Sequence, residues 1–330
     1  MSYLVLVANA GDGSISTLRQ DGETLERLTD SPVGNGCNAF AFDADRNLVH
    51  VATEDAVVTL SLDRETGRLS EVSHRHDAGA MVYLALAHGG TVLAGASYHE
   101  GYATAWPVID GVLGDAPSRH ELANAHCVVA EGDVAYVASL GQDVVAQFRL
   151  GPEATLTPLD PPSVAAPDGS GPRHLVLSEH GAYLVTEFSA EAIRFDVAAD
   201  ATLSRAEAVR FDDPDANLAH SRYGADPRAE HLRWGADVHV AGNWLLCSER
   251  TASTIASVRI GRDGRLGEVG AITKVPEQPR GFGVSPDQAL VVAVGERSPD
   301  AVLYRVLEDG SLVELDRTTV GAKARWARFV

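Results

Sequence analysis

The chain has 330 residues, 45% of them hydrophobic and 22% charged, which is ordinary for a globular protein with a large core. Its formal net charge is −19, and Lys274 and Lys323 are the only lysines, so nearly all the positive charge is arginine. That balance excludes a nucleic-acid binder, which needs a basic face to neutralise phosphates, and it fits equally a high-salt interior or a genome that favours Arg over Lys. No apolar run reaches the roughly 18 residues a spanning helix needs, so no membrane partner is expected. The apolar run 3–8 is too short for a signal peptide and lacks a basic flank, which sets a cytoplasmic expectation. Cys37, Cys127 and Cys247 are odd in number and form no CxxC pair. Free buried thiols are expected, with neither a disulfide framework nor a zinc site.

An internal repeat organises the rest of the chain. Short apolar strands recur at residues 3–8, 48–52, 92–96, 134–138, 183–186, 244–248 and 290–294. Aligned on Ala8, Ala52, Ala96, Ala138, Thr186, Ser248 and Val294, the steps are 44, 44, 42, 48, 62 and 46 residues. A polar turn and a second, alternating strand follow, as at 14–18, 57–62, 144–148 and 301–304. Next come a turn such as Asp63-Arg64-Glu65-Thr66-Gly67 and a weaker strand such as 69–72. These are hairpin signals. Another strand precedes each repeated one, at 38–42, 82–86, 126–129, 173–177, 236–240 and 280–284.

Four strands per period of about 40–50 residues is the pattern of a propeller blade. The predicted fold is therefore all-β: a seven-bladed β-propeller with four antiparallel strands per blade, forming one domain over residues 1–330. The chain starts on a repeated strand with no strand before it, and 325–330 reads as the missing one. The C-terminal strand is expected to pair with the N-terminal blade and close the ring, which removes exposed sheet edges. The long step contains an insertion at about 211–232, rich in Asp, Arg and His, expected as a charged rim or lid over a central pocket. Only 215–222 has a helical period, and it is short.

Candidate chemistry lies at strand ends. Arg173 and His174 open one apolar strand, and Glu187 ends the next. The stretch Gln278-Pro279-Arg280-Gly281-Phe282 repeats the first motif. Buried ionised groups are costly unless paired, so strands carry them near water or a ligand. These ends are expected to meet around one central pocket. Side chains alternate along a strand, which places His174 on the face opposite Arg173. The same rule puts Asp237 and His239 on one face as a pair that stabilises a blade, while Tyr98 and His99 sit on a turn at the rim. No G-x-S-x-G, no H-E-x-x-H and no glycine-rich nucleotide loop occurs.

Gly169-Ser170-Gly171-Pro172-Arg173-His174, Arg233-Trp234-Gly235-Ala236-Asp237-Val238-His239 and Gln278-Pro279-Arg280-Gly281-Phe282 closely resemble the lactonase family of seven-bladed propellers. The resemblance runs over essentially the whole chain. It implies hydrolysis of a small-molecule sugar lactone, 6-phosphogluconolactone or a related aldonolactone, without a cofactor. The family also includes a fungal carboxymuconate cyclase, so a muconate-type lactonising cyclase is the alternative. By the resemblance, His126, Arg173, Glu187 and Arg280 match that enzyme's His, two Arg and Glu, and are the candidate catalytic residues. His174, Tyr98, Asp237 and Arg325 are the candidate substrate-binding residues. Some propeller lactonases hold calcium, but the matching positions here are arginines, which repel a cation, so no metal is expected. A monomer or weak homodimer is expected. Lys323-Ala324-Arg325-Trp326 departs from the family's usual C-terminal stretch by adding cations.

Lactone hydrolysis needs an activated water, donors for the developing oxyanion and a proton for the leaving ring oxygen. Arg173 and Arg280 offer forked donors suited to a carboxylate, a phosphate or the oxyanion. A Glu187 carboxylate beside two arginines is a weak base, which favours His126 as proton acceptor with Glu187 orienting; both remain candidates. A non-catalytic interaction propeller is the remaining reading. It predicts a broad exposed apolar patch and no perturbed titratable group in the channel.

Overall fold

In the computed structural model, which describes residues 2–330, the strands form seven antiparallel sheets arranged as the blades of a closed propeller. The repeated apolar strands explain their own composition. Each is second in its blade, flanked by strands on both edges and by neighbouring blades on both faces. Leu48–Ala52, Val92–Ser97, Trp244–Glu249 and Leu290–Val294 are buried at every residue. A strand buried on both faces reads as a continuous apolar run rather than an alternation. Outer strands such as Leu203–Arg210 are half exposed and accordingly mixed in sequence.

There is no single central core. The seven apolar clusters each fill the wedge between two adjacent blades: Val5, Val7 and Leu18 pack on Val292 and Leu303, for example, and Tyr183 and Val185 on Val238 and Leu245. Closure is as predicted. Ala324–Phe329 lies antiparallel to Ser2–Asn9, with Val5 opposite Phe329 and Asn9 opposite Ala324.

Four details differ from the sequence reading. The register makes Val185, not Thr186, the equivalent of Ala138: Ala138 pairs with Val145, and Val185 with Ala192. Arg280 precedes its strand, Phe282–Val284, instead of lying in it. The outer strand of the third blade is broken into Val112–Leu113 and Arg119–Glu121, and Pro117 between them has no N–H to donate. The insertion carries its helical turns at Pro214–Ala216 and Pro227–Glu230, each started by an Asp side chain that caps it, and not over 215–222. Among the described residues no helix is long and apolar enough to cross a membrane.

The inner strands share a feature that positions the site. In three of them the pairing with the next strand skips one residue at the start. The skipped residues are His126, between Ala125 and Cys127; Arg173, between Pro172 and His174; and Arg325, between Ala324 and Trp326. A fourth strand skips both Ala236 and Asp237. Such bulges free a side chain from the alternation and re-aim it. Gly235, at the bulge of the sixth blade, has no room for a side chain: a Cβ there would lie 2.2 Å from the Thr186 carbonyl oxygen and 3.2 Å from the Phe211 ring. Gly235→Ala is expected to destabilise the protein by about 1–3 kcal/mol, as overpacking does, seen as a lower urea midpoint.

Candidate active site

The residues that end the second strands and those that begin the inner strands meet at one mouth of the central channel. Glu187 is the pivot. Its Oε2 accepts from Arg173 Nε at 2.8 Å and pairs with Arg250 Nη2 at 2.8 Å. Its Oε1 accepts from Trp234 Nε1 at 3.2 Å. The Arg250 guanidinium lies 3.9 Å from the centre of the Trp234 ring and donates to the carbonyls of Trp234 and Gly235. Burial pushes the Glu187 carboxyl up, but Arg250, Arg173 and Arg280 together outweigh that and hold it below the usual range. Glu187 is therefore ionised and spent on its donors.

Arg173 is only 1% exposed. Besides Glu187 it meets the Ala236 carbonyl and, at 3.1 Å, His174 Nε2. The alternation argument placed His174 on the other face; the bulge between Pro172 and His174 overrides it and turns both side chains inward. His174 Nδ1 lies 2.7 Å from Asp237 Oδ1. Burial comes first, with the Arg173 charge second, in pushing the His174 pKa down to about 3, so its ring is neutral. Asp237 is held well below the usual carboxylate range: burial opposes this, but Arg328, His239 and His174 prevail. An ionised Asp237 accepts the Nδ1 proton, which leaves the His174 Nε2 lone pair to accept from Arg173.

Asp237 thus stands behind the site. It also accepts from the backbone N–H groups of Val238 and Phe282, from Arg328 and from His239, so its oxygens are fully engaged within the hub. Both Asp237 and His174 are about 1% exposed. They fix Arg173 rather than present themselves at the mouth, which revises their expected placement as substrate contacts. The expected pairing of Asp237 with His239 is present at 3.2 Å.

His126 is buried, with its ring edge against Tyr98 at 5.4 Å and His174 at 5.2 Å. Its Nδ1 has no hydrogen-bond partner. Burial, then the charges of Arg173, His174, Arg280 and Arg250, lower its pKa well below 6.5. Tyr98 is half-buried, and burial followed by the Glu187 charge raises its phenol to about 12.

Arg280 is half-buried and, among the described residues, has no hydrogen-bond or ion-pair partner. Its charge nevertheless bears on Arg173, His126, Glu187 and Glu296. Arg325 joins the same group through Glu296, which accepts from Arg325 Nε at 2.7 Å and from Gln278 Nε2 at 2.6 Å. Lys323 is exposed, just before the closing strand.

Sequence reasoning missed Arg250, Glu296 and Trp234. The signal for the first two was present. Counted from Ala96, Val185, Ser248 and Val294, the second residue onward is Tyr98, Glu187, Arg250 and Glu296, one position around the ring. Anchoring the fifth repeat on Thr186 put Glu187 one step out of line and hid its equivalents.

A 6-phosphogluconolactonase of Klebsiella pneumoniae subsp. pneumoniae is 26% identical over 321 residues, covering 94% of this chain and 93% of that one. A 6-phosphogluconolactonase of Sodalis glossinidius is 27% identical over 352 residues, covering 99% and 98%. The structure of the periplasmic gluconolactonase PpgL of Pseudomonas aeruginosa superimposes with a TM-score of 0.86 at 23% identity, covering 100% of this chain and 99% of that one; this likeness is one of fold. Residues 3–329, which carry every side chain of the mouth cluster, match the family described as Lactonase, 7-bladed beta-propeller, and the chain belongs to that family.

Proposed function

We propose that the chain hydrolyses a sugar lactone that carries an anionic group, 6-phosphogluconolactone or a related aldonolactone, without a metal. One observation carries the reading: Arg280 stands at the mouth beside Arg173 and Arg250 with no partner of its own. A half-buried guanidinium without a counter-ion calls for a bound anion. Arg325, tied to the cluster by Glu296, adds a further cation and favours a phosphorylated substrate. The naming of the relatives as 6-phosphogluconolactonases supports the same class. The donor set is rich in guanidinium, which suits anions and repels a metal ion.

In the reaction, the oxygen of a water attacks the lactone carbonyl carbon. Its proton passes to His126, whose Nδ1 is unpaired, unlike the ring nitrogens of the likewise neutral His174. The oxyanion forms against arginine N–H donors already in place, where such donors are worth most. The bond from the carbonyl carbon to the ring oxygen then breaks, and the ring oxygen takes up the proton to become a hydroxyl. Water has been added across one C–O bond, and the product is an open-chain hydroxy acid. Glu187, saturated by three donors, orients Arg173 and Arg250. The interaction-propeller reading loses support from the perturbed groups at the mouth.

The decisive assay is lactone opening on a panel of sugar lactones, with and without EDTA, counted above the spontaneous rate. No excess rate on any lactone would end the proposal, and abolition by EDTA would end its metal-free part. Arg280→Ala is expected to raise KM for a phosphorylated lactone roughly 10- to 100-fold, the range of one charge-assisted bond. Because Arg280 bonds to nothing among the described residues, the Tm of the variant is expected to stay at or above that of the parent.

The pH profile gives a second test. The working form of His126 is neutral, and its folded pKa lies below 6.5. Activity is therefore lost only as pH falls through that lowered value, so the acid limb of kcat/KM is expected below pH 6.5. Removing the Arg280 charge removes one cause of the lowering, so Arg280→Ala is expected to move that limb upward. The limb of kcat, which reports the substrate complex, is expected at higher pH than that of kcat/KM, because a bound anion offsets the arginines.

A further inference from the structure

The insertion does more than edge the mouth. Ser221 N–H donates to the Phe188 carbonyl at 3.0 Å, which docks the loop onto the residue after Glu187. Arg222 pairs with Glu230, Arg228 with Glu277 and Arg233 with Asp212, and Ala219 bridges Leu232, so the loop is held from several sides. Between the loop and the fourth and fifth blades lies a cleft of about 450 Å³, bordered by Asn124, Leu140, Phe188, His220, Ser221 and Tyr223. It adjoins the arginine cluster: Phe188 follows Glu187, Asn124 donates to the Tyr98 carbonyl, and the Tyr98 phenol feels both Glu187 and Tyr223.

The lining has a definite chemistry. Tyr223 is 65% exposed, the only aromatic among the strongly exposed large hydrophobic side chains of the described residues. Phe188 lies at the other side, nearly buried. The Ser221 hydroxyl is buried and has no hydrogen-bond partner. A buried hydroxyl left unpaired is costly and calls for an explanation, of which a ligand is one. Asp143, also on the cleft, is occupied by the N–H groups of Gly169 and Gly171 and so adds little free charge. Flat aromatic surface beside hydroxyl, amide and imidazole groups suits a ring with an apolar C–H face and polar edges. The volume is that of a small-molecule subsite.

We infer that this cleft is a second subsite, which takes a further hydroxylated ring attached to the lactone, so that the enzyme accepts two-ring aldonolactones as well as single-ring ones. The inference rests on the lactonase reading given above and extends it to substrate size.

The test compares cellobiono-1,5-lactone with glucono-1,5-lactone on the parent, Tyr223→Ala and Ser221→Ala, each rate taken above the uncatalysed one. The parent is expected to hydrolyse both. Tyr223→Ala is expected to lower the ratio of kcat/KM, two-ring over one-ring, about tenfold, the scale of one aromatic contact. Ser221→Ala breaks no side-chain bond among the described residues, so it tests the cleft without threatening the fold, and it is expected to lower the ratio several-fold. If the parent opens a one-ring lactone of the panel, phosphorylated or not, but not the two-ring one, or if neither substitution moves the ratio, the second subsite is refuted and the lactonase reading stands. If the parent opens neither lactone, nor any other of the panel, both fall.

Discussion

A shared anion holds the mouth of the channel together. Glu187 takes one bond from each of two buried arginines and one from an indole, and Glu296 does a lesser version of the same for Arg325. Without them, like charges would be crowded at the axis with little water to screen them, and each would cost several kcal/mol to bury. Counting Asp237 and Arg328 behind the site, five guanidinium groups nevertheless face only three carboxylates. The arrangement is held close to balance and left short of negative charge, with the shortfall expressed at Arg280. In a chain of net charge −19, that makes the hub a local exception to its own surface.

The fold supplies the geometry through irregularity. Regular alternation would send Arg173 and His174 to opposite faces of their strand. One unpaired residue at the start of the inner strand brings both inward, so that Asp237 in the next blade can reach Arg173 through an imidazole. The same device releases His126 and Arg325. Bulges are local; those of the inner strands lie at the ends that begin at the mouth, and others occur between the outer strands of the blades.

The architecture was legible because its cause is repetitive. A strand buried on both faces must be apolar, and seven such strands at near-equal spacing leave few alternatives. The charged cluster was legible for a related reason: arginine and glutamate at the ends of apolar strands are out of place unless something pairs with them. What the sequence could not show was the bulges, since a skipped pairing leaves no mark in composition. Hence the orientation of His174 was misjudged, and Asp237 was placed among substrate contacts when it braces the arginine from behind. Arg250 and Glu296 escaped for a smaller reason, a one-residue slip in aligning the fifth repeat. Trp234 lies in a recognised motif, but that its indole would serve a carboxylate one blade away depends on how the fifth and sixth blades pack.

The strand that seals the ring also brings Arg325 to the mouth. Circular completion and assembly of the cationic mouth are thus one event. While the polypeptide is being synthesised, the strand Ser2–Asn9 waits beside an empty position for a partner made at the far end of the chain. Prematurely terminated products would lack both the seal and that cation. They would carry an unpaired sheet edge, a mark by which quality control could separate them from finished molecules.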